Sequence, residues 1–391
     1  MFDVLFDILF LFFLGSCGWV IFSLLRLPIP ALLGTVAFVG YFRVTGFSLP
    51  LSPDFLSPFI QIVLGLYVGS KVTRDTVREL KAMAPSVAII VFWALSVVFI
   101  LGFILSRFTY LDPVTAILSS SMGGLPEMTV IALSTNADIA VIILIQTIRM
   151  IGTVVAFPIL LNLWMKKNGE KETVDADEQN VYADEQNRKK KRNAAFKLRH
   201  ILQHMKERPG AASQANLSKQ RAYAWISTAG KSVFSLTVAA AGGILLMQLG
   251  VPAGAMVGAM FFTAAASLGG APVLSPSPRV FGFLLVGVGL MVSDNFLPGA
   301  FNDLFSISLM VPVIVSTVFI FLSSLLVSFT IHRFVGWDFP TSFLAAAPGG
   351  FTVMTALAIK YDKDPFRVSM LHLCRLLAIK SVIPFVFMFF F

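Results

Sequence analysis

Long apolar segments recur along this chain, and they constrain its fold more than any other feature of the sequence. A helix needs about 20 residues to cross the roughly 30 Å hydrocarbon core of a bilayer. Ten segments approach or reach that length, near residues 4–25, 29–47, 56–71, 84–106, 139–164, 231–249, 252–269, 279–293, 307–331 and 366–390. Because 57% of the residues are hydrophobic and only 13% are charged, the chain is predicted to be an all-α polytopic membrane protein without a separate soluble enzyme domain.

The positive charge is concentrated in one hydrophilic stretch. The net charge is +9, and half of the 30 lysines and arginines lie between Lys166 and Lys231. Since an excess of basic residues marks the cytoplasmic side of a membrane protein, residues 165–229 are predicted to form a cytoplasmic linker, and no nucleic-acid partner is expected. A second interpretation is that the basic residues at 188–208 bind anionic lipid through an amphipathic helix on the membrane surface.

Cysteine and histidine are too sparse and too scattered for a metal centre. The chain contains two cysteines and four histidines, namely Cys17, Cys374, His200, His204, His332 and His372. None of them forms a three-ligand motif with neighbouring acids, so we expect neither a metal nor another cofactor. The sequence therefore predicts that the protein is not an enzyme.

The two halves of the chain are an internal duplication. When the chain is aligned with itself at an offset of 226 residues, Gly123-Gly124 coincides with Gly349-Gly350. The same offset pairs Asp112 with Asp338, Thr115 with Thr341, Met128 with Met354, Thr129 with Thr355, Asp138 with Asp364, Arg149 with Arg375 and Pro158 with Pro384. We therefore predict an N-terminal membrane repeat at 1–164 and a C-terminal repeat at 230–391. Repeats of this size with interrupted hydrophobic segments are typical of secondary transporters.

The two Gly-Gly pairs interrupt apolar segments where a membrane helix would otherwise be continuous. The first stands in "SSSMGGLPEM" at 119–128 and the second in "AAAPGGFTVM" at 345–354. Irregular backbone is tolerated at membrane depth only where protein or a water-filled cavity covers it. We therefore predict that both breaks line a ligand site and that short helices follow at 126–135 and 351–360, with partial positive charge at their N-termini. The alternative is a packing contact that small residues make between helices.

The number of spans decides whether the repeats are parallel or inverted. If each Gly-Gly segment enters the membrane and returns, each half has five spans and the halves are inverted. With the linker inside, only this arrangement puts the basic cluster from Lys71 to Lys81 on the cytoplasmic side. The sequence therefore favours two inverted repeats with about ten transmembrane helices and two re-entrant or broken Gly-Gly hairpins.

The predicted site collects glycine, polar and arginine residues from both breaks. The candidates for substrate binding are Ser120, Ser121, Gly123, Gly124, Glu127, Thr129, Arg149, Gly349, Gly350, Thr352, Thr355 and Arg375. The two arginines fall near mid-bilayer, where a guanidinium group must face protein or water. Each is interpreted either as an anchor for an anion or as a structural residue that binds hairpin carbonyls or pairs with an acid.

Glu127 has no acidic counterpart, because Val353 stands at the matching position. Its carboxyl group is a candidate for coupling transport to protons or cations, and it is equally suited to cap the short helix after the break. The hydroxyl candidates could instead bond to carbonyls of their own helices. Gln146 and His372 precede the arginines by one helical turn, and they are predicted to support the site or to make ordinary interhelical hydrogen bonds.

Taken together, these motifs resemble the AbrB-type duplicated integral membrane proteins of bacteria. The resemblance rests on "SSSMGGLPEMTVIA" with "AAAPGGFTVMTALA", on the arginine that follows each Gly-Gly pair, and on "LRLPIPALLG" at 25–34. Members are often labelled ammonia monooxygenases or regulators, whereas the fold-level similarity implies the inverted-repeat ion and organic-anion transporters. The resemblance does not supply a substrate.

The sequence thus favours a secondary active transporter in the bacterial cytoplasmic membrane. Its expected substrate is a small organic anion, coupled to protons or sodium and moved by alternating access. One alternative is a cation/proton antiporter that uses Glu127. Another is a membrane-embedded regulatory or scaffold protein that acts through the linker. A homodimer is in keeping with such scaffolds by analogy alone.

Overall fold

Helices and connecting turns make up the described part of the protein. The structure, a computed structural model, describes residues 2–25, 27, 29–124, 128, 131–133, 135, 137–167, 211–296 and 307–390. The first half contains α1 (Phe2–Leu24), α2 (Pro30–Val44), α3 (Leu56–Ser70), α4 (Arg74–Glu79), α5 (Ala84–Phe108), α6 (Pro113–Ser120) and α7 (Ile139–Lys167). The second half contains α8 (Ala211–Gln248), α9 (Gly254–Leu268), α10 (Pro278–Ser293), α11 (Ile307–Val335), α12 (Phe339–Ala346), α13 (Phe351–Lys360) and α14 (Pro365–Phe390).

The helices confirm the prediction of an all-α polytopic membrane protein. Within the described residues there are six helices long and apolar enough to cross a bilayer, on α1, α5, α7, α8, α11 and α14. Shorter apolar helices occupy the remaining predicted segments, on α2, α3, α9 and α10. The predicted short helix at 351–360 is present as α13. Most of 126–135 and of the linker, 168–210, lies outside the described residues, and α8 begins at Ala211.

The helices pack as two bundles, and each bundle takes helices from both halves of the chain. The scaffold bundle contains α1, α2 and α3 with α8, α9 and α10. The hairpin bundle contains α5, α6 and α7 with α11, α12, α13 and α14. The contacts are reciprocal: α2 packs on α10 as α9 packs on α3, and α5 packs on α14 as α11 packs on α7. The duplication in sequence is therefore also a duplication in packing, and the inverted orientation of the repeats stays a prediction.

Glycine pairs hold the scaffold helices close together. A Cβ atom on Gly18 would collide with the Gly34 carbonyl where α1 crosses α2, and one on Gly258 would collide with the Gly242 carbonyl where α9 crosses α8. Such backbone contact is the usual way in which membrane helices associate without a hydrophobic driving force. Both crossings therefore require glycine for the same steric reason.

Two non-glycine residues at matching positions have left-handed backbone conformations. Ile29 precedes α2 with φ 45°, and Ala253 precedes α9 with φ 50°. Positive φ is rare for an L-residue, above all for a β-branched one, so surrounding packing must impose it. The similarity noted between "LRLPIPALLG" and the second half thus corresponds to a shared local geometry.

The Gly-Gly segment of the first half returns to the point at which it begins. The Asp112 side chain caps α6 by accepting a hydrogen bond from the Thr115 backbone N–H at 3.0 Å. The Thr115 hydroxyl in turn accepts from the Asp138 backbone N–H at 2.8 Å, immediately before α7. The start of α6 and the start of α7 are therefore adjacent, and we call the stretch of chain between them the first hairpin.

The second half repeats these contacts. Asp338 caps α12 through the Thr341 N–H at 3.0 Å, and the Thr341 hydroxyl accepts from the Asp364 N–H at 3.4 Å before α14. The three residue pairs that the sequence offset selects therefore close two equivalent hairpins. Their ends meet as re-entrant hairpins require.

Candidate functional site

Both hairpins break their first helix just before the glycines. Ser121 ends α6 and Ala347 ends α12, each in an extended conformation. Gly124 follows with φ 96°, which favours glycine. In the second hairpin α13 begins after Gly350, which provides no side-chain cap for its N-terminal N–H groups. The breaks therefore leave the last carbonyls of α6 and α12 without helical partners, and the second break also leaves the first N–H groups of α13 without them.

Arg149 binds the carbonyls of the first break. Its Nη1 donates to the Ser119 carbonyl at 3.2 Å and its Nη2 to the Ser121 carbonyl at 2.8 Å. One turn earlier on α7, Gln146 Nε2 donates to the Leu118 carbonyl at 2.9 Å. The structural role proposed for this arginine is thus present in the geometry.

Arg375 occupies the equivalent position with one altered contact. Its Nη1 donates to the Ala347 carbonyl at 2.8 Å, and its Nη2 donates to His372 Nδ1 at 3.0 Å. His372 Nε2 lies 3.0 Å from the Leu344 carbonyl. Because an arginine can only donate and a carbonyl can only accept, His372 carries its proton on Nε2 and is neutral.

A cavity of about 260 Å³ lies where the two breaks meet. Its lining is Gln61, Met122, Gly124, Gln146, Arg149, Met150, Ala253, Pro348, Gly349, Gly350, Phe351, Thr352, Arg375 and Leu376. The structure therefore brings seven predicted residues to one space, namely Gly124, Gln146, Arg149, Gly349, Gly350, Thr352 and Arg375. From Ile139 to Arg149 the helix rises by ~15 Å, about half of the hydrocarbon thickness.

Other predicted residues are placed behind this lining. Ser120 donates to the Ala116 carbonyl of its own helix at 2.7 Å. The Ser121 hydroxyl accepts from the Gly123 N–H at 3.2 Å, and the Thr355 hydroxyl lies 2.9 Å from that of Ser369. These residues and His372 therefore make hydrogen bonds around the breaks and do not line the cavity. The predicted residues Glu127 and Thr129 lie outside the described part of the chain.

The sequence reasoning missed the scaffold side of the cavity. Gln61 of α3 and Ala253 before α9 both line it. Gln61 is a lone amide in the apolar segment "LSPFIQIVLGLYVGS", which was a detectable signal. Ala253 carries no such signal, because its importance comes from backbone conformation.

The cavity is electropositive in its described lining. Arg149 is 5% exposed and Arg375 is 2% exposed. The described residues that line the cavity include no aspartate or glutamate. Both Nε atoms are buried and lack a hydrogen-bond partner among the described residues. The uncapped N-terminus of α13 at Gly350 adds partial positive charge. This arrangement favours a ligand with negative charge.

Comparisons with known proteins give a family and two relatives. The chain is 29% identical over 161 residues to "Putative regulator AbrB" of Escherichia coli (strain K12), covering 40% of this chain and 44% of that protein. It is 29% identical over 103 residues to "Uncharacterized protein YhjN" of Bacillus subtilis (strain 168), covering 26% of this chain and 27% of that protein.

Each of these alignments spans less than half of the relative's own length. No solved structure matches the chain significantly. The family model described as "Transition state regulatory protein AbrB" matches residues 2–165 and 195–391. Because this match covers most of both repeats, the chain belongs to the AbrB family of membrane proteins.

Proposed function

We propose that this protein is a secondary active transporter that moves a small organic anion across the bacterial cytoplasmic membrane. The observation that carries the proposal is that Arg149 and Arg375, one from each repeat, line a single cavity at the two helix breaks. A buried guanidinium group is costly in a membrane, so a matched pair beside an open space is best explained by an anionic ligand. On this proposal the protein is a carrier rather than an enzyme.

The position of the cavity supports alternating access. The hairpin bundle contributes both arginines and both Gly-Gly pairs, whereas the scaffold bundle contributes Gln61 and Ala253. A movement of one bundle against the other would then open the same site first to one side and then to the other. Coupling to protons or sodium belongs to this proposal, with Glu127 as the candidate coupling residue.

The antiporter alternative is less well supported by the described acids. Asp112 and Asp338 cap α6 and α12, and Asp138 and Asp364 accept hydrogen bonds from the first turns of α7 and α14. None of these four aspartates lines the cavity. Since none of the described cavity-lining residues is acidic, a cation mechanism would depend on Glu127, which lies outside the described part of the chain.

The regulatory alternative places the function in the linker. In our proposal the linker at 165–229 lies in the cytoplasm, and its basic part at 188–208 contacts anionic lipid without taking part in transport. Deleting residues 170–208 should leave anion flux in proteoliposomes unchanged. If the deletion abolished a regulatory effect of the protein in the cell while anion flux was retained, a linker-mediated regulator would be favoured.

The central experiment is a thermal-shift screen of the purified protein in detergent against small carboxylates, sulfonates, phosphates and cations. A ligand at about a hundred times its Kd stabilises the folded state by roughly 2.7 kcal/mol, which is enough to detect. We expect an anion to stabilise the wild type, and Arg149→Lys and Arg375→Lys to lose most of this shift because lysine keeps the charge without the planar donor fork.

Arg107→Gln is the matched control, because it removes a positive charge from exposed residue 107 in the same bundle. It should keep the full ligand-induced shift. If only Na⁺ or pH moved the melting curve, and no anion did, the anion transporter would be rejected in favour of the cation antiporter.

A further inference from the structure

Each arginine at the cavity keeps unused hydrogen-bond donors. A guanidinium group carries five N–H donors, and the hydrogen bonds of Arg149 to the described residues use only Nη1 and Nη2. Those of Arg375 also use only Nη1 and Nη2. In both residues Nε is buried without a partner among the described residues. Each guanidinium therefore keeps N–H donors that no described residue uses, and the N–H donors of a guanidinium group bind carboxylates through charge-assisted hydrogen bonds.

The two guanidinium groups belong to the two repeats. The Arg149 and Arg375 guanidinium groups are fixed by the equivalent carbonyls of Ser121 and Ala347, at 2.8 Å in both cases. They line the same cavity from α7 and α14. The duplicated fold thus brings one guanidinium group from each repeat to one space.

The charge of the described lining points to a ligand with two negative charges. Arg149 and Arg375 are its charged residues, and His372 beside them is neutral because its Nδ1 accepts from Arg375. Among the described residues of the lining, a ligand with one negative charge would balance only one of the two buried cations, and uncompensated buried charge is strongly unfavourable. A dianion would neutralise both guanidinium groups.

The size of the cavity limits the ligand. Its volume of about 260 Å³ falls below the roughly 300–1,000 Å³ of sites that hold drug-sized molecules. The helix N-termini at Gly350 and Ala253 face this small space without side-chain caps, so additional anionic or acceptor atoms would be accommodated there. A short-chain molecule fits these limits.

We propose that the substrate is a small dianion of the dicarboxylate class, with one anionic group on Arg149 and the other on Arg375. This inference rests on the anion transport proposed above and makes it specific. Discrimination against monoanions comes from the second arginine, which would remain buried and unpaired when a monoanion is bound.

The test compares matched acids that differ only in charge. The full chain in detergent at pH 7.5 is titrated by calorimetry with malonate, succinate and glutarate, and with the monoamide of each, which has nearly the same shape. We expect at least one diacid to bind tenfold or more tightly than its monoamide. Arg149→Gln and Arg375→Gln should reduce that ratio towards one, whereas Arg107→Gln should keep it.

The wild-type ratio decides the proposal even if the arginine variants fold poorly. Equal or tighter binding of the monoamides, or of acetate and lactate, would overturn the dianion and leave the anion transporter standing. If no anion in the series binds, and the wider screen also finds none, both proposals fail together. Binding of larger or singly charged anions in that screen alone would overturn only the dianion.

Discussion

The Asp138 backbone N–H donates to the Thr115 hydroxyl at 2.8 Å, although 23 residues separate them. This bond joins the beginning of α6 to the beginning of α7, and Asp364 with Thr341 repeats it in the second half. A segment whose ends are joined in this way enters and leaves its surroundings at one place. The re-entrant arrangement predicted from the sequence requires that place to lie at one face of the bilayer.

The first prediction is that the two ends of each hairpin are labelled from the same side. In a background with Cys17→Ala and Cys374→Ala, Tyr110→Cys and Ala137→Cys flank the first hairpin, and both should react with an impermeant maleimide from outside the cell. Arg333→Cys and Asp362→Cys flank the second hairpin, and they should react only after the membrane is permeabilised, because the repeats are predicted to be inverted.

Two outcomes of this labelling would contradict different parts of the architecture. If Tyr110 and Ala137 were labelled from opposite sides, the first Gly-Gly segment would span the membrane. If both hairpins opened to the same side, the segments would be re-entrant, but the repeats would not be inverted and the count of five spans in each half would be wrong. Labelling of Thr73→Cys from the inside serves as the control, since the basic cluster around it fixes the cytoplasmic face.

The second prediction concerns the hydroxyl groups that close the hairpins. Thr115 and Thr341 are fully buried. Thr115→Val keeps the shape of the side chain and leaves the Asp138 N–H without its acceptor in a part-buried position, so it should cost roughly 1 kcal/mol. The variant should melt several degrees below the wild type in detergent, while Thr115→Ser, which keeps the oxygen, should melt near it. Equal melting temperatures for the valine and serine variants would show that this bond does not hold the hairpin.

The third prediction uses the difference between the repeats. Gln146 donates to the Leu118 carbonyl just as His372 donates to the Leu344 carbonyl. His372→Gln should therefore preserve stability, because the amide can donate to Leu344 and accept from Arg375. His372→Leu removes both contacts from a buried position and should cost roughly 1–3 kcal/mol. Melting curves at several pH values compare them, and equal loss in both variants would mean that the imidazole ring itself is required.

Much of this architecture could be predicted from the sequence, because the repeat offset selects residues that are paired for physical reasons. Asp112, Thr115 and Asp138 were selected by their counterparts in the second half, and they turn out to close the hairpin. Their task as caps was not deducible, since a polar residue in an apolar segment is equally compatible with a cap and with a ligand site. Only the hydrogen-bond partners separate these two roles.

The cavity shows where sequence reasoning ends. Arg149 and Arg375 were expected to bind either an anion or the hairpin carbonyls, and the structure shows the carbonyl contacts together with Nε donors that have no partner among the described residues. Gln61 belongs to the other bundle, so no local pattern connects it with the Gly-Gly breaks. Long-range packing brings it there, and a single sequence does not encode that packing in a readable form.

The fourth prediction tests the contact that joins the two repeats within the scaffold bundle. Arg43 Nη2 lies 2.6 Å from Asp294 Oδ1, with side chains 7% and 22% exposed. A pair this well covered should couple more strongly than exposed ion pairs, which contribute about 0–1 kcal/mol. In a double-mutant cycle, Arg43→Gln and Asp294→Asn should show a coupling energy above about 1 kcal/mol. Additive effects would mean that the coupling energy is near zero and that this ion pair does not stabilise the contact between the repeats.

The fifth prediction separates the packing role of the glycines from their role at the cavity. A Cβ atom at Gly123 would lie 2.7 Å from Ile379 Cγ2 and 2.8 Å from Met128 Cε, so Gly123→Ala should destabilise the protein by roughly 1–3 kcal/mol through overpacking. A Cβ atom at Gly350 would meet only Val353 Cγ2, at the ordinary distance of 3.7 Å.

Gly350→Ala should therefore fold almost as well as the wild type, but its methyl group would stand beside the N-terminus of α13 at the cavity. We expect a near-normal melting temperature without ligand and a much smaller shift with the stabilising anion. If Gly350→Ala kept the full shift, the anion would not approach α13, and the arginines would have to hold it elsewhere in the cavity. If Gly123→Ala folded normally and also lost the shift, the first break would be part of the binding surface rather than a packing contact.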